Sequence, residues 1–459
     1  MRLLSLLRRD VVRAVGTLVG GTVAAHAITA ALMPISTRLF TPHDFTVAAA
    51  FSAIVAIVSA AACLRYDMAV PVADDNDEAA NVLAAAAMFA ALVSGVVALT
   101  LWLSPRAWFE AAGQGGLFAY RGMVPVGILA GGLYLALQAW AVRAKSFGSI
   151  ARSRVGQSVA AAGSQIGLGA WGFAPLGLIV GQALNYGAGA LSLGVGVLRD
   201  RAAMQAISWP RMVAAIQKYQ RFPRYSVGEA LANAASANLP ILFIVALANG
   251  PEAGYLTLAN FILLAPMALI GNAIGQVYFS SAPVAWREGR LAAHTELTLR
   301  ALIRAIVAPL VLLGIVSPTV FGIVFGAGWE RAGVLVAWMT PWFLVQFLSA
   351  PISTALHVAG RQRAAMILQI VGLVVRVGAV LLAAAVAPAF VSESYALSGA
   401  VFYTLYLVVI LRVVGIPLGT VMRHVRWTLP LVLLAVVAGV FVSLFVVYLV
   451  PAVLPHGGG

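Results

Sequence analysis

Long apolar runs separated by short polar breaks recur along almost the whole chain. A helix needs about 20 apolar residues to cross the hydrocarbon core of a bilayer. The strict alternation of barrel strands is absent, so these runs predict membrane-spanning helices. We place thirteen of them, six at 15–39, 45–71, 79–104, 121–143, 155–173 and 175–198, and seven at 226–249, 254–283, 300–325, 333–358, 364–387, 393–413 and 428–450.

The basic stretch 199–225 is the one clear internal boundary. Within it, Ser208, Trp209 and Pro210 predict the start of an amphipathic helix at the membrane surface. We therefore predict an N-lobe at 1–198, a linker at 199–225, a C-lobe at 226–414 and an extra helix with a tail at 415–459.

A weak repeat connects the two halves. Pro34 precedes Pro42 and a small-residue helix, and Pro240 precedes Pro251 and another such helix. Because both halves then begin on the same side, they are predicted to be parallel six-helix repeats around a central cavity, as in many transporters. The predicted fold class is an all-α polytopic membrane protein of 12 to 13 helices.

The distribution of positive charge predicts the orientation. With the N-terminus in the cytoplasm, 24 of the 29 Lys and Arg residues lie on the cytoplasmic side, including Arg143, Lys145, Arg152 and Arg154 between the fourth and fifth spans. The exceptions are Arg38, Arg106, Arg121 and Arg331 on the outer side and Arg376 within a helix. This asymmetry follows the positive-inside rule and predicts a multi-pass membrane protein with its N-terminus in the cytoplasm. The net charge of +14 then reflects orientation and anionic lipids, not nucleic-acid binding.

Composition excludes several classes of function. Hydrophobic residues make up 62% of the chain and charged residues only 10%, which is far from a soluble enzyme. The longest predicted outer loop, 105–120, leaves no room for a catalytic domain, and phosphate-binding, zinc-protease and serine-hydrolase motifs are absent from the sequence. The single cysteine, Cys63, excludes an intrachain disulfide. We predict a protein that is not an enzyme, with no cofactor or metal.

Two stripes of polar residues occur at helical spacing. In the first span Thr22, His26 and Thr29 continue to Met33 and Ser36 in steps of three and four, and in the seventh span Glu229 and Asn233 continue to Ser236 and Pro240. These stripes either line a central cavity or form hydrogen bonds between neighbouring helices.

Isolated charges supply further candidates. Arg376 lies in the middle of a span, where it must face water, an anionic ligand such as phosphate, or an acidic group of another helix. Asp67, Glu229 and Glu393 are the carboxylates near the bilayer that could carry a coupling proton or sodium ion, although all three lie near span ends and ordinary interfacial placement also explains them. The acidic run at 74–78 is typical of a solvated helix start.

Several segments resemble a known family, the polysaccharide flippases of the MOP exporter superfamily. The matching segments are 35–45, 64–71, 77–81, 219–226, 238–240 and 250–255, and Thr46 departs from the pattern where glycine is expected. The resemblance covers roughly residues 10–415.

The resemblance implies a transporter of a bacterial inner membrane. It would move an undecaprenyl-diphosphate-linked oligosaccharide from the cytoplasmic to the periplasmic leaflet by alternating access, without ATP hydrolysis and with a proton or sodium gradient as a possible energy source. Its partners would be the lipid-linked oligosaccharide, bilayer lipids, and a polysaccharide polymerase with chain-length proteins. The candidate diphosphate contacts are Arg38, Arg65, Arg224 and Arg376, and the candidate sugar contacts are His26, Thr22, Thr29, Asn233 and Asn238.

Three other classes of function also fit these sequence features. Within the superfamily, the chain could export drugs or flip a peptidoglycan precursor, although a cation exporter would need an acidic residue deep in the membrane. A membrane polymerase or ligase would need a large outer loop. A scaffold of polysaccharide assembly is the third alternative.

Overall fold

The computed structural model describes residues 2–248 and 250–453, and within them the chain is helical with no β-strand. The all-α prediction is therefore confirmed. Contacts divide the chain into two compact units, Met1–Phe40 with Asp44–Ala246 and Thr41–His43 with Leu247–Gly459. This division falls one long helix later than the predicted lobe boundary, and the lobe arrangement stays a prediction. The predicted tail beyond residue 453 lies outside the described residues.

The first unit is made of packed helices. Its α-helices are α1 (Arg2–Leu39), α2 (Pro42–Ala62), α3 (Asn76–Leu103), α4 (Arg106–Ala111), α5 (Met123–Arg143), α6 (Phe147–Ala170), α7 (Leu176–Leu198), α8 (Arg201–Gln205), α9 (Trp209–Lys218) and α10 (Arg221–Leu247). Buried alanines of α3, with Phe51, Val55 and Ile128, form the main core. Helix α1 packs on α6, which packs on α7.

The second unit is organised around α13 and α14. Its α-helices are α11 (Glu252–Pro266), α12 (Asn272–Arg287), α13 (Leu291–Phe325), α14 (Glu330–Ser349), α15 (Thr354–Val358), α16 (Gln362–Val386), α17 (Val391–Val414) and α18 (Leu418–Val453). Helix α14 packs between α13 and α17, and α17 in turn packs on α16. The predicted extra helix is α18, which packs against α13.

Eleven helices of the described part are long and apolar enough to span a membrane, two fewer than the thirteen predicted. The predicted span 155–173 exists as α6, but its polar residues keep its hydropathy low. The predicted span 254–283 is divided by a π-helical segment, Met267–Gly271, which follows Pro266.

The predicted span 45–71 was too long. Helix α2 ends at Ala62, and the backbone then turns through Leu64 and Arg65, whose φ angles of 47° and 64° lie in the left-handed region. Two short 3-10 turns, Tyr66–Met68 and Val70–Val72, complete the connection to α3. Hydropathy alone did not reveal this turn, because the residues on both sides of it are apolar.

The amphipathic helix predicted in the linker is present as α9. Ser208 is its N-cap and Pro210 lies in its first turn, where the missing N–H of proline costs nothing. Met212 and Ala215 are buried, and the helix packs on the start of α3. Asn81 of α3 binds the N-terminal end of α9. Its Oδ1 accepts a hydrogen bond from the backbone N–H of Ser208 at 3.0 Å, and its Nδ2 donates to Ala206 O at 3.0 Å.

The other end of α9 is held by charge. Lys218 Nζ donates to Asp74 Oδ2 at 2.8 Å and also to Glu78 Oε1, and the Tyr219 hydroxyl donates to Glu78 Oε2 at 3.2 Å. The acidic run also starts α3, because Asp75 caps it through the backbone N–H of Glu78 at 2.7 Å. The hydrogen bond and the charge of Lys218 lower the pKa of the Asp74 carboxyl below its ordinary value.

This contact predicts a pH-dependent docking of α9. A carboxyl with a lowered pKa stabilises the folded arrangement above its ordinary pKa of about 3.9, and loses that contribution as the pH falls through the lowered value. We expect the amide-exchange protection of 209–218 to be higher at pH 6 and to decrease as the pH falls through the lowered pKa of Asp74. Lys218→Ala should lower the protection at pH 6 and remove most of its dependence on pH, because the buried side chains and the Asn81 hydrogen bonds still hold the helix. Arg211→Ala, which removes a looser exposed pair with Asp77 at 3.7 Å, should behave like the wild type.

Candidate functional site

Three polar side chains of α1 and α6 meet in the first unit and form what we call the Arg154 cluster: Thr22, His26 and Arg154. Arg154 Nη1 donates to Thr22 Oγ1, and the charge of Arg154 acts on the His26 ring one turn further along α1. All three side chains are partly buried. A guanidinium, a hydroxyl and an imidazole therefore converge at one point of the helix pair.

A small-residue contact allows these two helices to meet closely. A Cβ added at Gly21 would lie 2.7 Å from the Ala151 Cβ, so the backbones of α1 and α6 approach one turn before Arg154. Small residues are the usual means of close helix packing in membranes. Gly21 thus brings Thr22 within reach of the guanidinium.

The structure places Arg154 inside a helix, whereas the sequence analysis placed it in the connection before the fifth span. Helix α6 begins at Phe147, not at 155, and Arg154 lies two turns inside it. The polar residues Arg152, Arg154 and Gln157 depress the local hydropathy and shift the apparent start of the helix. The signal that could have found it is spacing, because Ala151, Arg154 and Gln157 share a face of α6.

The other predicted polar contacts are mostly local. Thr29 Oγ1 donates to Ala25 O at 3.1 Å, and Asn238 Nδ2 donates to Ala234 O at 2.8 Å, each within its own helix. Asn233, Glu229 and Arg224 are exposed on α10. These two hydrogen bonds do not reach the Arg154 cluster.

Two further predicted arginines lie near helix ends. Arg38 is exposed in the last turn of α1. Arg65 Nη1 lies 3.8 Å from Asp67 Oδ2, and Arg65 Nη2 lies 2.6 Å from the Met68 sulfur. Burial raises the pKa of the Asp67 carboxyl, and the charge of Arg65 partly offsets this effect. Asp67 and Arg65 thus form a pair of their own on the turn after α2.

Arg376 is buried in the second unit within a group of aromatic side chains, which we call the Arg376 cluster. Its Nε donates to Gly372 O at 3.1 Å, and its guanidinium carbon lies 5.1 Å from the centre of the Phe402 ring. Its charge also acts on Tyr395 and Tyr403 of α17. Guanidinium stacking on an aromatic face is favourable, particularly where water is excluded.

Trp342 completes the Arg376 cluster from α14. Its ring lies 5.1 Å from that of Tyr395 and 6.3 Å from that of Tyr403, centre to centre. The Trp342 Nε1 is buried without a hydrogen-bond partner among the described residues. The cluster is therefore cationic and aromatic, which suits an anionic or a sugar-bearing ligand better than a cation.

Glu393, a predicted ion-coupling residue, belongs to a third group that we call the Arg331 bridge. Arg331 Nε donates to Glu252 Oε1 at 3.0 Å and Nη2 to Glu252 Oε2 at 3.2 Å, while the same Nη2 lies 2.6 Å from Glu393 Oε1. The bridge joins the first turns of α11, α14 and α17. Sequence analysis placed Arg331 on an outer loop and missed this pairing, because its partners are 79 and 62 positions away.

The architecture has solved counterparts among transporters. The fold is similar to that of a lipid II flippase, MurJ, in an inward closed conformation, with a TM-score of 0.68, 11% identity, and coverage of 93% of this chain and 98% of that one. A multidrug resistance MATE transporter of the MOP superfamily in an inward-facing conformation matches with a TM-score of 0.56, 14% identity, and coverage of 87% and 94%. The chain therefore has the fold of MOP superfamily transporters.

A family model identifies the chain more closely. The model described as polysaccharide biosynthesis protein matches residues 35–334. The chain belongs to this family, and the predicted resemblance to polysaccharide flippases of the MOP superfamily is confirmed. The two solved structures with this fold are a flippase and a transporter. No curated protein sequence matches the chain.

Proposed function

We propose that this protein flips an undecaprenyl-diphosphate-linked oligosaccharide repeat unit from the cytoplasmic to the periplasmic leaflet of a bacterial inner membrane, for O-antigen or exopolysaccharide synthesis. The observation that carries the proposal is the Arg154 cluster. It combines a guanidinium with a hydroxyl and an imidazole on helices of a polysaccharide biosynthesis protein.

The chemistry of this cluster suits a diphosphate headgroup. A guanidinium presents N–H groups in a fork that matches two phosphate oxygens, and these charge-assisted bonds are about twice as strong as neutral ones. The hydroxyl of Thr22 and the ring of His26 add hydrogen-bonding groups beside it. A charged headgroup needs such partners, because crossing the bilayer without them costs several kcal/mol or more per charge.

In the proposed mechanism the headgroup binds to the protein while the lipid tail stays in the bilayer. Alternating access then exposes the bound headgroup to the other leaflet. The residues bind and release; they form no covalent intermediate. A proton or sodium gradient would supply the energy, and a polymerase with chain-length proteins would consume the flipped unit.

The experiment that tests the proposal is the analysis of lipid-linked saccharides in cells that lack the protein. We expect a completed repeat unit on undecaprenyl diphosphate to accumulate in the cytoplasmic leaflet. Mass spectrometry would identify the unit, and its resistance to a glycosidase added from the periplasmic side would show which leaflet holds it. Return of the gene should remove it. Normal delivery of the unit to the periplasmic side would refute the proposal and favour a scaffold or enzyme of assembly.

The same experiment separates the proposal from its nearest rival. A solved relative of the fold is a lipid II flippase, so a peptidoglycan precursor is the alternative substrate. Accumulation of that precursor in place of a repeat unit would assign the protein to cell-wall synthesis. Drug export is less compatible with the chain, because the charges of the Arg154 and Arg376 clusters are positive.

A further inference from the structure

Two polar groups inside the first unit are buried without a hydrogen-bond partner among the described residues. They are the side-chain Nε2 of Gln157 on α6 and the hydroxyl of Ser59 on α2, in residues that are 7% and 6% exposed. Leaving such a group unsatisfied is energetically unfavourable. Buried polar groups of this kind are uncommon enough to require an explanation.

Glycines make room for both groups. A Cβ added at Gly189 would lie 2.0 Å from Gln157 Nε2 and 2.7 Å from the Tyr134 ring. One added at Gly131 would lie 2.6 Å from Ser59 Oγ and 4.0 Å from the Tyr186 ring. Alanine at either position would collide with the polar atom. The missing Cβ of each glycine therefore leaves the space that the amide and the hydroxyl occupy.

The two tyrosines join these groups into one site. Tyr134 lies beside the amide of Gln157, Tyr186 lies beside Ser59, and the two phenols are close enough to interact electrostatically. Both tyrosines are only partly buried. Four helices, α2, α5, α6 and α7, contribute to this group.

The group borders the Arg154 cluster. Gln157 is one turn from Arg154 on α6, so the two Cα positions lie about 5 Å apart along the helix axis. A diphosphate bound by Arg154 would carry its first sugar at this distance. Tyrosine rings can cover the apolar face of a sugar, and an amide N–H and a hydroxyl can bond its hydroxyl groups.

We propose that Gln157, Ser59, Tyr134 and Tyr186 form a saccharide subsite, which binds the sugar attached directly to the diphosphate. The inference rests on the proposed function, since it assumes that the diphosphate binds at Arg154. It assigns sugar recognition to the first unit and to residues outside the polar stripes of α1 and α10.

The test measures binding of two probes to the purified full-length protein in lipid nanodiscs. One probe is undecaprenyl diphosphate without sugar, and the other is the tightest binder among its glucose, galactose and N-acetylglucosamine derivatives. We expect the wild type to prefer the sugar-bearing lipid. Gln157→Leu and Ser59→Ala should each weaken binding of that lipid by about tenfold and leave binding of the bare lipid unchanged.

Gln165→Leu is the matched control. Gln165 lies on the same helix and packs against another glycine of α7, since a Cβ at Gly181 would lie 2.4 Å from Gln165 Cγ. The control variant should bind both probes normally. Ser59→Ala is the smaller change and keeps the test valid if Gln157→Leu proves unstable.

The outcomes separate the two proposals. The subsite proposal would be overturned if the Gln157 and Ser59 variants lost affinity for both probes equally. It would also be overturned if they kept the wild-type affinity for the sugar-bearing lipid. A wild type that binds bare and sugar-bearing lipids equally would overturn it as well. A wild type that binds neither lipid, or an Arg154→Ala variant that binds the bare lipid normally, would instead refute the proposed diphosphate site.

Discussion

Replacing Arg154 with Ala is expected to lower the rate of lipid-linked saccharide flipping by about ten- to a hundredfold. The substitution removes the charge-assisted bonds to the diphosphate, each of which contributes about 1.5–3 kcal/mol. Arg154→Lys should retain part of the activity, because a lysine supplies charge but not the fork geometry. The measurement is transfer of a labelled lipid-linked saccharide across proteoliposome membranes, at equal protein levels.

Arg152→Ala provides the control for the Arg154 variant. Arg152 lies on the same helix, is exposed and donates to the Ser149 hydroxyl at 3.2 Å. Arg152→Ala removes the same charge from the same helix as Arg154→Ala does. A general effect of charge or of membrane insertion on flipping would therefore appear in both variants. Equal activity of Arg152→Ala and Arg154→Ala would contradict the assignment of the diphosphate to Arg154.

The sequence was sufficient to predict the fold class and most helix positions. Membrane helices follow from runs of apolar residues, and every predicted span has a helix at its position in the structure. Errors occurred where hydropathy carries no information. The left-handed turn at Leu64 and Arg65 and the early start of α6 depend on backbone geometry and on which residues face the protein interior.

The candidate site was harder to predict for the same reason. Thr22 and His26 were found because their spacing on α1 is helical, and Arg376 because it stands alone in an apolar run. Arg154 was missed because its polar neighbours made it resemble a loop residue. The partners of each residue are distant in sequence, as with the 132 positions between Thr22 and Arg154, so only packing brings them together.

Replacing Arg331 with Met is expected to destabilise the second unit by about 3 kcal/mol. The substitution leaves Glu252 and Glu393 close together without the guanidinium that separates their charges, and the Glu393 side chain is only 7% exposed. Glu393 Oε2 already lacks a hydrogen-bond partner among the described residues, so no spare donor is available to replace Arg331. The apparent melting temperature of the purified protein in detergent should therefore fall clearly below that of the wild type.

A second substitution distinguishes unpaired charge from lost packing. Glu393→Gln in the Arg331→Met background removes one of the two buried charges, and we expect it to restore part of the stability. Arg106→Met is the matched control, since it breaks an exposed pair with Glu110 at 2.7 Å and should cost less than about 1 kcal/mol. If the double variant is no more stable than Arg331→Met, the loss comes from packing of the Arg331 side chain and not from charge. The Arg331 bridge joins the first turns of α11, α14 and α17, and in that case it would stabilise their arrangement through side-chain packing and not through charge.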